Sequence, residues 1–270
     1  MAALEPRFRE DQVAIIGSFI RHHVIESGAR GIVLGMSGGG DSSLVSALCV
    51  RALGAGKVVG VWSGEGPAKG ADFRDAADWA RDLGIELRTH DIAPLVSAFR
   101  RPLKIPKGER VAQGNLKARI RMIVLYAIAN TENRVVMGTG NKSEIACGYF
   151  TKFGDGGVDF LPIGDLYKTQ VREMAAFLGV PKRIVEKVPS AGLWKGQTDE
   201  GELGIRYGDL DRVLLGIEIH LSPEEIAAQT GIPIKKVRHV EDLVVRSAHK
   251  RKPPLIPKIG IRTFGLDWRE

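Results

Sequence analysis

Cysteine is scarce. Cys49 and Cys147 are the only two in 270 residues, and no C-x-x-C pair exists, so neither a zinc site nor a dithiol redox motif is supported. Both thiols are expected to be reduced. Long apolar runs are lacking too: nothing approaches the roughly 20 residues that span a bilayer, which argues against a helical membrane protein. The N-terminal stretch contains Glu5, Arg7, Arg9, Glu10 and Asp11, so the apolar core of a secretory leader is missing and a cytoplasmic location is expected. Internal repeats and low-complexity linkers are also absent.

What is present suits a soluble globular chain, with 44% hydrophobic and 26% charged residues. The length allows one large α/β domain, and a single domain over 1–270 is expected, with a sheet core at about 12–178 and a loop-rich, helical part at about 179–270. Lys and Arg number 39 against 32 Asp and Glu, a net charge of +7 that suits nucleic acid or a site for several phosphates.

Strand-forming runs at 31–36, 58–61, 86–91 and 134–138 alternate with helix-patterned segments at 43–53, 72–83 and 115–130. That order predicts a doubly wound, mostly parallel sheet flanked by helices, with a helical C-terminal extension. Further helices are expected at 168–178 and, as a pair, within 222–246. Segment 189–204 has no periodicity and reads as a lid or a surface loop.

Gly35-Met-Ser-Gly-Gly-Gly-Asp-Ser42 lies between the first strand and its helix, where backbone N–H groups and the helix dipole make an anion site. Asp41 stands where a kinase-type phosphate loop requires Lys, and Ser43 stands where a dinucleotide fingerprint requires its third Gly. A grip on a γ-phosphate and a nicotinamide dehydrogenase are both disfavoured. A carboxylate facing a triphosphate calls for Mg²⁺ between them, so Asp41 is a metal-ligand candidate; the ordinary alternative is a helix N-cap.

The loop Ser37-Gly-Gly-Gly-Asp-Ser42 resembles the S-G-G-x-D-S loop of the ATP pyrophosphatases. Four further stretches narrow the likeness: Gly138-Thr-Gly-Asn-Lys-Ser-Glu144, Gly148-Tyr-Phe-Thr-Lys-Phe-Gly-Asp-Gly-Gly-Val-Asp159, Pro162-Ile-Gly-Asp-Leu-Tyr-Lys-Thr-Gln170 and Gly196-Gln-Thr-Asp-Glu200. Together they resemble the ammonia-dependent NAD synthetases over roughly 12–254, and imply an adenine nucleotide alpha hydrolase-like fold.

The resemblance implies the amidation of deamido-NAD with ammonia, driven by ATP as co-substrate and by Mg²⁺, in a homodimer. It places ATP on Gly35, Met36, Ser37, Gly38, Gly39, Gly40, Asp41, Ser42, Thr139, Lys168 and Ser190, and the metal on Asp41 and Glu144. Deamido-NAD is placed on Arg119, Lys152, Asp159, His249 and Lys250, and the chemistry on Asp41, Glu144 and Lys168.

Each of these residues also has a plainer reading. Glu144 completes a capping box with Asn141, and Lys168, in the first turn of a helix starting near Asp165, can reach into water. Arg119 is expected to lie nearer than Arg121 to a buried stripe of Leu116, Ile120, Ile123 and Ala127. Lys152 and Asp159 bracket an ordinary Gly-rich turn, and His249-Lys-Arg-Lys reads as a solvated basic run. The pair of helices within 222–246 carries the Gly turn and basic second helix of a helix-turn-helix, but no base-reading side chains identify it, and nucleic acid is not expected as a partner.

Overall fold

Strands β1 (Gly31–Gly35), β2 (Val58–Gly64), β3 (Glu86–Asp91) and β4 (Arg134–Met137) run parallel in the order β3-β2-β1-β4. A computed structural model describes residues 4–106, 108–194 and 196–262; the rest of the expected 1–270 span lies outside the described residues. Ile32 is paired with Val58 on one side and Val135 on the other, which makes β1 an inner strand. Its Ile32, Val33 and Leu34 are fully buried, the near-continuous apolar run expected of a strand covered on both faces.

Strand alternation sends these side chains to two different cores. Ile32 and Leu34 pack with α1 (Asp11–Glu26), α2 (Gly40–Leu53) and α7 (Lys168–Phe177) through Ile20, Leu44, Leu48 and Met174. Val33 packs on the other face with Val59, Val136, Ile120 and Val124, the last two from α5 (Arg110–Glu132). Each such side chain contributes about 1.5–3 kcal/mol when removed from water. The crossovers are completed by α3 (Ala71–Leu83), ended by Gly84 at φ 69°, and by α4 (Ala93–Leu103).

A separate core forms beyond β4. It gathers Tyr207, Leu210, Val213 and Leu214 of α10 (Tyr207–Glu218) with Ile226, Val237 and Val240 of α11 (Pro223–Thr230) and α12 (Ile234–Arg246). Ser222 caps α11 in a capping box with Glu225. The short helices α6 (Lys142–Cys147), α8 (Lys182–Val185) and α9 (Asp199–Leu203) join this part to the sheet.

Four expectations need correction. The buried positions of α5 are Gly114, Ala118, Ile120, Val124 and Ala129, while Ile123 and Ala127 face outward. The helix is covered on more than one side, because Leu193 and Trp194 lie over Gly114, and a single-stripe reading therefore fails. Segment 189–204 is not all loop: Thr198 caps α9 by accepting from Gly201 N. The basic run is largely exposed but not free, since Arg251 donates to the carbonyls of Ile145, Ala146 and Val244 and Lys250 to those of Gly148 and Phe150. The helix expected from near Asp165 begins instead at Lys168.

Candidate active site

β1 and β4 are adjacent, and the segments that follow their carboxyl ends, with Gly39 to Ser42 after β1 and Gly138, Thr139 and Glu144 after β4, line one crevice. A cavity of about 950 Å³ lies there. Gly35, Met36, Ser37, Gly39, Gly40, Asp41 and Ser42 line it. Gly38 instead backs onto α3: its φ is +75°, a Cβ would come within 2.1 Å of the Asp72 carbonyl oxygen, and its own carbonyl accepts from Lys187 Nζ at 2.8 Å. Only glycine fits.

The loop is braced from within. Ser42 Oγ donates to Gly39 O at 3.1 Å and accepts from Ser37 N at 3.3 Å. Gly39 is the N-cap of α2, and no side chain caps the helix. The first N–H groups of a helix have no partner within it, and the residues that carry them here, Gly40, Asp41 and Ser42, line the cavity, as an anion site requires.

Asp41 is therefore not the N-cap. Its Oδ1 accepts from Asn141 Nδ2 at 3.1 Å, and its Oδ2 accepts from Lys168 Nζ. Glu144 forms its capping box and still turns one oxygen toward Lys168. Its Oε2 accepts from Asn141 N at 3.2 Å while Asn141 Oδ1 accepts from Glu144 N at 3.0 Å, closing the capping box of α6. Its other oxygen, Oε1, lies 3.5 Å from Lys168 Nζ.

Lys168, the first residue of α7, is buried to 5% exposure and lies over the Tyr207 ring. Burial opposes its charge, but Asp41 and Glu144 outweigh that and hold its pKa above the ordinary lysine value. Burial, reinforced by the Asp41 charge, pushes Glu144 up to about 8. One lysine charge thus faces two carboxylates.

Sequence reasoning missed the residue that joins this group. Asp211 of α10 is wholly buried. Its Oδ1 accepts from Ser143 Oγ at 2.5 Å and its Oδ2 from Thr169 N at 2.8 Å, while Ser143 Oγ accepts from Lys168 N at 2.9 Å. Asp211 therefore ties the neighbours of Glu144 and Lys168 to one point. The signal was present: Tyr207, Leu210, Asp211 and Leu214 share a helix face, and an acid on an apolar stripe demands partners. Asp199, also unanticipated, lines the cavity and accepts from Tyr207 Oη at 3.2 Å.

Thr139 and Ser190 line the cavity, and Ser190 Oγ donates to Gln197 O at 2.8 Å. Arg119 is exposed rather than inward, and its Nη2 donates to Lys152 O at 3.3 Å. Lys152 Nζ in turn donates to His249 O at 2.9 Å, so Arg119, Lys152, His249 and Lys250 form one group, of which Lys250 lines the cavity. Asp159 stands apart, accepting from Tyr126 Oη at 2.9 Å and Val136 N at 2.7 Å. On α5 it is Arg121 that lines the cavity.

The donor set suits a hard dication. Asp41 and Glu144 are two carboxylates on one cavity with a single lysine charge between them, oxygen donors of the kind such an ion takes.

The comparisons agree with this geometry. Residues 12–254 match the family model described as NAD synthase. The "NH(3)-dependent NAD(+) synthetase" of Archaeoglobus fulgidus is 49% identical over 251 residues, which cover 93% of this chain and 97% of that one. Among solved structures, an NMN synthetase from Francisella tularensis superposes with a TM-score of 0.81 at 35% identity, over 93% of this chain and 98% of that one. An NH3-dependent NAD synthetase from Campylobacter jejuni does so with a TM-score of 0.78 at 30% identity, over 92% and 98%. A parallel sheet with its anion loop at the β1/β4 crevice is the adenine nucleotide alpha hydrolase-like fold, and the chain belongs to the NAD synthase family.

Proposed function

We propose that this protein amidates deamido-NAD with ammonia, at the expense of ATP, in NAD biosynthesis. The observation that carries the reading is the meeting of Asp41, Glu144 and Lys168 at the starts of α2, α6 and α7, on the cavity that the phosphate loop lines. It is supported by relatives of nearly equal length whose name states that activity.

The nicotinate carboxylate oxygen of deamido-NAD attacks the α-phosphorus of ATP, and the bond to the β-phosphate oxygen breaks. Pyrophosphate leaves and an acyl adenylate remains. Ammonia then attacks the acyl carbon, AMP departs, and a proton is lost from nitrogen. The N–H groups of the loop and the start of α2 hold the phosphates, and Lys168 offsets charge that grows on the departing anion. Asp41 and Glu144 would hold Mg²⁺, which would supply charge neutralisation at the phosphates. Thr139 and Ser190 border the nucleotide, while Arg119, Lys152, Asp159, His249 and Lys250 serve the dinucleotide. Segment 189–204 excludes water from the adenylate.

The chain acts as one domain in the cytoplasm and pairs as a homodimer. Leu95, Phe99 and Leu103 of α4 with Val111 and Ile123 of α5 are exposed apolar residues that a partner would cover.

With α-labelled ATP, deamido-NAD and ammonium, label should pass to AMP in proportion to NAD formed. ADP as the stoichiometric product overturns the reading. The likeness to an NMN synthetase favours a second reading, in which nicotinate mononucleotide is the amidated substrate. Comparing kcat/KM for the mononucleotide and the dinucleotide decides between them.

A further inference from the structure

Arg121 lies half-buried on α5, in the cavity wall with Trp62, Ser63, Met122 and Leu125. Its Nε donates to Ser63 O at 3.1 Å, which fixes the plane of the guanidinium at the end of β2. No carboxylate lies within ion-pair distance of it among the described residues. Glu65 and Asp155 face it from farther away, and both are committed: Glu65 pairs with Lys117 at 2.5 Å, and Asp155 Oδ1 accepts from Thr151 N at 2.9 Å.

Three lysines on these walls are spent within the protein. Lys168 is held by Asp41 and Glu144, Lys187 by Asp72, Asp75 and Gly38 O, and Lys250 by two carbonyls. Arg121 differs from them. Burial draws its pKa below the ordinary arginine value, with no neighbouring carboxylate close enough to restore it. Its Nη groups have no protein partner among the described residues and stand on the cavity wall, where they can donate to an anion.

We propose that Arg121 is a substrate-binding residue whose two Nη groups donate in parallel to an oxyanion of a reactant, either a phosphate of ATP or the carboxylate of the nicotinate ring. The identity of the reactants rests on the function proposed above; the anion-binding role of Arg121 does not. A planar guanidinium already held by one Nε bond presents the remaining edge as a fork, the geometry that suits carboxylate and phosphate alike.

The test uses the full chain with Arg121→Gln and Arg121→Lys. Calorimetric titration with AMP, with pyrophosphate and with nicotinate is set beside steady-state KM values for ATP and for deamido-NAD. Arg121→Gln should weaken one of the three titrations and raise the matching KM by about tenfold or more, with Arg121→Lys recovering part of the loss because it restores charge without the fork. Loss at AMP or pyrophosphate with a raised KM for ATP assigns the phosphate; loss at nicotinate with a raised KM for deamido-NAD assigns the carboxylate. Either supports the proposal. If Arg121→Gln fails to fold, the same comparison is made with Arg121→Lys, and added guanidinium should restore turnover to Arg121→Ala. Titrations and KM values all within twofold of the parent overturn the proposal, as does a parent chain that binds none of the three probes. A parent that binds a probe without forming AMP and NAD overturns the function instead.

Discussion

Glu144 Oε1 lies 3.5 Å from Lys168 Nζ although the two residues open different helices, α6 and α7. Nothing in either helix sets that distance by itself. Asp211 sets it from behind, accepting from Ser143 Oγ and from Thr169 N and so fixing both helix starts on one carboxylate.

Asp211→Asn should therefore loosen the site without touching the cavity. An amide can accept from one partner only through its oxygen, and its NH₂ then confronts the other donor. The expected cost is about 1–3 kcal/mol of stability, together with a fall in kcat that exceeds the rise in either KM. Denaturant unfolding and steady-state kinetics on the same preparation check this. Unchanged kcat in a destabilised variant would assign Asp211 to folding alone.

Glu144→Gln and Asp41→Asn separate chemistry from folding. Gln keeps an acceptor for Asn141 N, so the capping box and the fold should survive. Adenylate formation, read as deamido-NAD-dependent exchange of pyrophosphate into ATP across a magnesium titration, should fall on the order of 100-fold as a ligand charge is lost. Near-normal exchange would return Glu144 to its capping role alone.

Much of this was legible in residue order. The strand at 86–91 is found at those bounds, Gly84 ends α3, and the two capping boxes read from Asn141–Glu144 and Ser222–Glu225 both form. These are local signals, in which a few neighbouring residues decide the outcome. What stayed hidden depends on contacts distant in sequence. Arg121 lies two turns beyond Gly114, on the face that the Leu193–Trp194 segment and β2 cover, while Arg119 falls on an exposed face, and no periodicity within α5 can report this. The grip of Lys250 on Gly148 and Phe150 spans 100 residues or more, so the basic run looks solvated in isolation.

Acid stability should depend on Glu132. Its carboxylate accepts from Arg88 and Arg134, tying β3 and β4 to the end of α5, and those hydrogen bonds bring its pKa down from 4.5 to about 2. A depressed carboxylate stabilises the fold above its unfolded pKa and loses that contribution as pH falls toward the folded one. Glu132→Gln should lower stability at neutral pH and flatten its decline between pH 4.5 and about 2. Parallel unfolding curves for parent and variant over that range would show that the pair contributes nothing.

Free ammonia should support turnover, and glutamine alone should not. Cys49 is fully buried within α2, Cys147 is buried at the end of α6, and burial pushes both thiols up to about 12. Neither can serve as the thiolate nucleophile that glutamine hydrolysis needs. NAD formation from glutamine at the ammonium rate, with contaminating ammonia removed, would contradict this.

Gly148 and Ser247 meet so closely that a Cβ on Gly148 would come within 2.2 Å of the serine Cβ, and Lys250 stands just beyond as part of the cavity wall. A ribosome releases the phosphate loop long before it releases that wall. Through most of synthesis the nascent chain displays Gly35 to Ser42 with no enclosure, and domains of this size commonly fold through partly structured states. Nucleotide stabilises only the state that binds it, so ATP adds to the stability of the finished chain and little to the intermediates that precede it. Binding at the cavity therefore favours the state in which the segment carrying Ser247 and Lys250 has docked, and does not act as a template for the sheet.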